Sequence, residues 1–334
     1  MHIVQQLDER RWREFVENNP RGGIFHTPEM FQVFARTKGH HPTLWAIVGD
    51  GEQVLALLLP VQVTVLDGLL RHFTTRAVVY GSVLCAPGPA GAQALDLLLQ
   101  AYNRAIERRV LFTEMRNLSD LSDLQPVLDH NEFAFEEHSD FIFDLDQAEE
   151  TLWGKISRSA RQRVRSARNK GMVIEAATSR QHLISAYRLL QDVYTRARVP
   201  LAGPTLFEAA FDILGPRGMF KIFLARLDGR LIGARFLLMF RGTILDWYAG
   251  VDRNFSSCSP SELLVWHALQ WGREQGFHRF QFGGAGPLGR VYGVRDFKAK
   301  FGGQFVNYGR NVCTHAPVRL KVSRAAYQFV RAFL

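Results

Sequence analysis

Ala225-Arg226-Leu227-Asp228-Gly229-Arg230-Leu231-Ile232-Gly233 reads as a strand, a two-residue turn and a second strand. Asp-Gly between apolar runs signals a hairpin, because glycine supplies the positive φ that a tight turn requires. Ile47-Val48-Gly49-Asp50-Gly51-Glu52-Gln53-Val54-Leu55 repeats the pattern, 178 residues upstream. Each hairpin is followed by strand-like sequence, a helical stretch and another strand: residues 78–84, 93–108 and 110–115 in the first half, and 243–249, 260–275 and 277–282 in the second. That spacing predicts a duplicated domain of about 150 residues plus insertions.

Composition allows this. With 334 residues the chain is long enough for two cores, and 47% hydrophobic with 22% charged content is that of a soluble globular protein. The longest apolar run, residues 54–61, includes Pro60 and is far too short to span a bilayer. The first residues carry acids where a signal peptide needs its apolar segment, so a cytoplasmic location is expected. Cys85, Cys258 and Cys313 are scattered, and His40-His41 reads as a loop pair before Pro42; neither a disulfide framework nor a metal site is called for. The expected domains are residues 1–147, 148–316 and a basic amphipathic helix over 317–334, in which Leu320, Tyr327, Val330, Phe333 and Leu334 alternate with Arg319, Lys321, Arg324 and Arg331. Such a helix docks on its parent domain or lies on an anionic inner-membrane surface.

The formal charge is +9, and much of the excess sits between Lys155 and Lys170, where seven cations stand without an acid. Read as one helix, that segment places Trp153, Ile156, Ala160, Val164 and Ala167 on one face and Arg158, Arg161, Arg165 and Arg168 on another. An arginine stripe without acids suits phosphate, since guanidinium forks pair bidentately with its oxygens. In the following helix, Ser259, Pro260 and Glu262 form a capping-box start and Gly276 a stop. By strand alternation, Asp246 and Tyr248 share one face and Trp247 the other. Glu114 is a weaker candidate on the matching strand of the first repeat.

Near the C-terminus, Arg279-Phe-Gln-Phe-Gly-Gly-Ala-Gly286 precedes Tyr292-Gly-Val-Arg-Asp-Phe-Lys-Ala-Lys-Phe-Gly-Gly303. Gly284, Gly286 and Gly289 formally match a dinucleotide fingerprint, yet Pro287 interrupts it and no apolar helix is expected after it to hold a pyrophosphate. This block resembles the C-terminal signature of the FemABX family. The segment Asn169-Lys170-Gly171-Met172-Val173 is similar to that family's basic-helix turn, and Gly23-Ile-Phe-His-Thr-Pro-Glu-Met-Phe31 to its N-terminal motif, with departures at His26 and Met30. The resemblance covers about residues 20–315. It implies an α+β fold of two tandem GNAT-like acyltransferase domains, each a mixed antiparallel sheet flanked by helices.

It also implies an aminoacyltransferase that carries an amino acid from aminoacyl-tRNA to an amine of a diphosphate-linked cell-wall precursor, without a cofactor. Phe297-Lys298 matches the family's Phe-Lys pair at the acyl-transfer site, in a loop that also carries Tyr292 and Arg295. A fixed ammonium there neutralises tRNA 3′-end phosphates or the oxyanion of a tetrahedral intermediate. Asp246 and Tyr248 are the candidate amine-facing groups. Arg161 and Arg165 are the candidate diphosphate anchors, and Arg36 is the cation nearest to a family lysine otherwise replaced. No acetyl-CoA pyrophosphate loop precedes the helix at 260, where Asp252-Arg-Asn-Phe-Ser-Ser-Cys-Ser-Pro260 stands. Two other classes remain open: an acyl-CoA-dependent N-acyltransferase on a small-molecule or polysaccharide amine, and a non-enzymatic RNA- or membrane-binding protein.

Overall fold

The computed structural model describes residues 1–64, 68–107, 109–289 and 292–332. The chain begins β1 (His2–Val4), α1 (Glu9–Asn18), α2 (Pro28–Arg36), β2 (His40–Pro42), β3 (Trp45–Val48) and β4 (Val54–Leu58). Next come β5 (Val61–Thr64), β6 (Thr75–Gly81), β7 (Leu84–Cys85), α3 (Pro89–Ile106), β8 (Phe112–Asn117), α4 (Gln125–His130) and β9 (Ala134–Glu136). Then follow β10 (Ser139–Asp144), α5 (Glu149–Lys155), α6 (Arg158–Asn169), β11 (Val173–Ala176), α7 (Arg180–Ala197) and α8 (Pro204–Ile213). The chain ends with β12 (Phe220–Leu227), β13 (Arg230–Phe240), β14 (Thr243–Val251), α9 (Pro260–Glu274), β15 (Arg279–Gln281), α10 (Gly293–Ala299), β16 (Gln304–Asn307), β17 (Arg310–Thr314) and α11 (Pro317–Ala332).

Two compact units result: Met1–Glu137 with Tyr308–Leu334 (unit 1), and His138–Asn307 (unit 2). These differ from the boundaries expected at 147 and 316, and strand pairing is the reason. Residues 139–144, expected to end the first domain, form β10, which pairs with β15 and β16 of unit 2. Residues 310–314 form β17, which pairs with β8 and β9 of unit 1. The tail helix stays with unit 1, where Leu320 and Ala316 pack on Leu111. Phe333 and Leu334 lie outside the described residues, as do the side chains of Tyr327, Val330 and Arg331.

Unit 2 is one sheet in the order β11-β12-β13-β14-β15-β10-β16, antiparallel except for the parallel pair β14-β15. At its hairpin, Asp228 (φ 49°) and Gly229 (φ 75°) both take the left-handed region between paired Leu227 and Arg230. One face of β12 and β13 buries Phe223, Leu237 and Met239 against Leu263, Leu264 and Trp266 of α9. Phe236, one residue out of that phase, meets Phe207 of α8 at 5.3 Å on the opposite face. α9 lacks the expected capping box: Ser259 takes the left-handed region without a side-chain cap, and the Glu262 carboxylate accepts instead from Arg163, at 3.2 Å. Gly276 does end the helix, its N–H reaching the Arg273 carbonyl at 3.0 Å.

The basic segment is two helices rather than one. Ser157 interrupts it and caps α6 by accepting from the Ala160 N–H, at 3.2 Å. Ile156, Ala160, Val164 and Ala167 are buried as the periodicity expects.

Unit 1 splits its strands between two sheets, β1-β3-β4-β7 and β2-β5-β6-β8-β17-β9. The single 11-residue β13 of unit 2 has as its counterpart β4 and β5, parted by Leu59-Pro60. Proline has no N–H to give a ladder, so an unbroken strand is disfavoured there. The first Asp-Gly turn also differs. Glu52, not Gly51, takes the left-handed region, in a wider loop closed by Gly49 N–H to the Gln53 carbonyl at 2.9 Å. His40 and His41 lie in β2 rather than a loop, and His40 stacks on Phe34 with centroids 6.1 Å apart.

Candidate active site

A cleft opens in unit 2 where two parallel strands part. β14 and β15 pair only over Thr243–Leu245 and Arg279–Gln281. Beyond that, β14 follows β13 out to Val251, while the chain after Gln281 follows β10: Phe282 N–H bonds to Phe141 O at 3.1 Å and Ala285 N–H to Ser139 O at 2.6 Å. The opened wedge is a cleft of about 570 Å³. Asp246, Tyr248, Phe282, Gly284 and residues of α7, α9 and α10 line it.

The Phe-Lys pair sits not in a loop but on α10, a helix of seven residues. Phe297 packs edge-on to Phe301 at 5.4 Å and fixes the helix to the core. Lys298 is thereby aimed inward, its Nζ donating to Phe282 O at 2.9 Å and to Gly284 O at 2.5 Å, with the Phe282 ring 5.0 Å away. An ammonium has three N–H donors, so one is left for the cleft. Burial pushes the Lys298 pKa down, while the charges of Asp246 and Asp140 act to hold it up. Tyr292 begins α10 and lines the same cleft. A Cβ at Gly286 (φ 80°) would fall 2.6 Å from the Tyr292 ring, so only glycine fits beneath it. Arg295 donates to Pro287 O at 2.8 Å, which ties α10 back to the glycine segment.

Facing Lys298 is a buried ion pair. Arg235 of β13 donates to Asp246 of β14, with only 4% and 7% of their side chains exposed. Asp246 Oδ1 and Arg235 Nε have no partner, and each such buried group costs roughly 1–3 kcal/mol if left so. Both residues line the cleft, so the two unpaired atoms stand at its wall.

The expected alternation of Asp246, Trp247 and Tyr248 fails here. The register slips so that Phe236 faces Tyr248 and Leu237 faces Asp246, leaving Trp247 as a bulge. Trp247 and Tyr248 consequently both meet Phe207, at 5.5 and 4.9 Å, while Asp246 turns to Arg235. Tyr194 of α7 stands 6.0 Å from Tyr248, and burial, with the Asp246 charge adding, pushes its hydroxyl up to about 12.

Behind Lys298, buried Asp140 accepts from Gln281 Nε2 at 2.9 Å and from the Phe141 N–H at 2.7 Å. Burial raises its pKa, and the Lys298 charge opposes the rise. Lys298, Phe297, Tyr292, Asp246 and Tyr248 thus meet in one place, with Arg295 alongside. Arg235, Tyr194 and Asp140 join them without having been expected. Arg235 had a signal, as the lone charge in the apolar run from Leu231 to Phe240.

The remaining candidates lie elsewhere. Arg161 and Arg165 are on α6, away from the cleft lining. Arg165 rests 5.6 Å over the Trp153 ring, and Arg168 donates to Gln270 at 2.8 Å, so part of the arginine face serves packing. Arg36 is exposed at the end of α2 in unit 1. Glu114, also in unit 1, is held by Arg116 and Arg310.

Residues 154–299 match the family model described as an acetyltransferase (GNAT) domain. No curated protein matches the chain by sequence. Among solved structures, FemX shares 15% identity over 97% of this chain and 100% of its own, with a TM-score of 0.74. L-PGS from Bacillus licheniformis shares 15% over 97% and 98%, at 0.59. A tandem GNAT protein from the clavulanic acid biosynthesis pathway shares 13% over 94% and 98%, at 0.58. At such identities the likeness is one of fold. The chain has the fold of FemX, two GNAT-like units, and residues 154–299 of the second match a GNAT acetyltransferase domain.

Proposed function

We propose that the chain transfers an aminoacyl group from aminoacyl-tRNA to an amine of a diphosphate-linked cell-wall precursor. The observation that carries this is Lys298, anchored by two carbonyls with one N–H left for the cleft. The acceptor amine attacks the ester carbonyl, and its electrons pass to the carbonyl oxygen. Lys298 stabilises that oxyanion, a role for which one donor is worth about 10²–10³ in rate. The intermediate collapses to an amide and expels the tRNA 3′-terminal hydroxyl, which takes the proton lost by the amine. Asp246 Oδ1 accepts an amine N–H and orients it. Tyr292 borders the acyl group. Arg161, Arg165 and Arg36 are the proposed phosphate contacts, Arg161 and Arg165 on the helix that carries the chain's densest positive charge.

An ester donor fits better than acyl-CoA for a local reason. A CoA diphosphate would seek the N-terminus of α9, where amides and dipole favour an anion. Glu262 already occupies that first turn, buried and paired with Arg163.

The test is amide formation by the purified protein from labelled aminoacyl-tRNA and a precursor amine, beside thermal shift with acyl-CoA. Transfer that disappears on RNase treatment supports the proposal. Stabilisation by acyl-CoA together with RNase-insensitive transfer would sink it.

A further inference from the structure

Unit 1 holds a second concentration of charge, on the sheet face turned away from α3. Register fixes who stands there. Tyr80, Arg116, Arg310 and Glu136 form one row across β6, β8, β17 and β9. Val78, Glu114 and Val312 form the next row, and Arg76 lies two residues before Val78 on the same face. The intervening residues Ala77, Val79, Met115 and Cys313 point the other way, into the α3 core.

Three guanidiniums therefore stand around Glu114, and Glu136 beside Arg310 is the cluster's second carboxylate. Glu114 accepts from Arg116 Nε at 2.5 Å and from Arg310 at 3.1 Å, and Arg76 adds its charge at longer range. The carboxylate is 15% exposed, Arg116 36% and Arg310 28%. Arg116 is further steadied over the Tyr80 ring at 5.3 Å, and Tyr80 in turn by Phe25 and Phe34 at 5.3 and 5.1 Å. Arg76 Nε is buried with no partner. Arginine cannot shed its charge by losing a proton, so an excess of half-buried guanidinium calls for an anion.

We propose that Arg76, Arg116 and Arg310 form a binding site for a phosphate-class anion of two or more charges, with Glu114 as its competitor. Glu114 keeps the arginines apart and aimed while the site is empty. A phosphate or diphosphate group brings more acceptor oxygens than the carboxylate and reaches the unpaired Arg76 Nε. This site lies within unit 1 and does not rest on the transfer reaction proposed for unit 2.

The experiment is calorimetric titration of the full-length protein, in phosphate-free low-salt buffer, with inorganic phosphate, pyrophosphate and acetate. Saturable binding of phosphate or pyrophosphate is expected, with acetate at least tenfold weaker. Arg76→Gln should weaken binding about tenfold or more, whereas Glu114→Gln should strengthen it several-fold by removing the competing charge. The opposite signs separate a ligand site from a structural network, in which both changes lower stability and neither moves affinity. Absence of saturable binding, an Arg76→Gln affinity equal to wild type, or weaker binding by Glu114→Gln would each overturn the proposal. Should Arg76→Gln fail to fold, Arg76→Lys keeps the charge but loses the fork, and unchanged affinity there would count equally against it.

Discussion

The two units use one strand plan and treat its central parallel pair in opposite ways. In unit 2, β14 and β15 hold together for three residue pairs and then part, and the wedge between them takes Asp246, Tyr248 and Lys298. In unit 1, β6 and β8 stay paired for five, through Gly81 and Asn117. His26 packs against that closed end, its ring 2.9 Å from where a Gly81 Cβ would stand, bound to the Gly23 N–H at 3.1 Å and Ser82 O at 3.2 Å. A neutral, fully hydrogen-bonded imidazole stabilises a closed end. Buried charges with unpaired atoms line an open one, at the expense of stability.

That contrast can be broken most forcefully at Asp246. Asp246→Asn strips Arg235 of its counter-charge inside unit 2, and a loss of about 3–5 kcal/mol is expected. The double variant Arg235→Met/Asp246→Leu should recover most of it. Urea denaturation of the three proteins checks this, and a double variant as unstable as the single would mean that packing, not charge, dominates.

Next in size is the acid response of unit 1. His26 has a folded pKa of about 4, driven down chiefly by burial, against 6.5 when unfolded. The unfolded chain therefore binds the proton first, and stability should fall as pH drops from 6.5 to 4, by about 3 kcal/mol in all. Above 6.5 the contribution is complete and flat. Stability measured from pH 7 to 4 should converge for wild type and His26→Gln, and parallel profiles would remove His26 as the cause.

The smallest effect compares the two hairpins. Gly229 needs positive φ and Gly51 does not, so Gly229→Ala should cost about 1–2 kcal/mol more than Gly51→Ala. Equal melting temperatures would show that the two turns are alike after all.

These differences also mark what the sequence could convey. The duplicated hairpin, the helix after it and the buried phase of α6 were legible because turn chemistry and periodicity are local. The strand exchange was not: β10 and β17 find their partners more than a hundred residues away in the chain, and no local signal marks that. Asp140 is hidden for the same reason, since it reads as a domain boundary until β10 is placed beside Gln281. The bulge at Trp247 defeated an alternation argument that holds on either side of it. Lys298 is a candidate through resemblance alone, and nothing in its spacing marks the two backbone carbonyls that orient it.

The central claim is that chemistry belongs to the open wedge of unit 2 and not to the closed one of unit 1. Single-turnover amide formation by Lys298→Met and His26→Gln, each corrected for folded fraction, tests it most directly. A fall of about 10²–10³ is expected for Lys298→Met, with near wild-type turnover for His26→Gln. Full activity in Lys298→Met, or an equal loss in a well-folded His26→Gln, would contradict it.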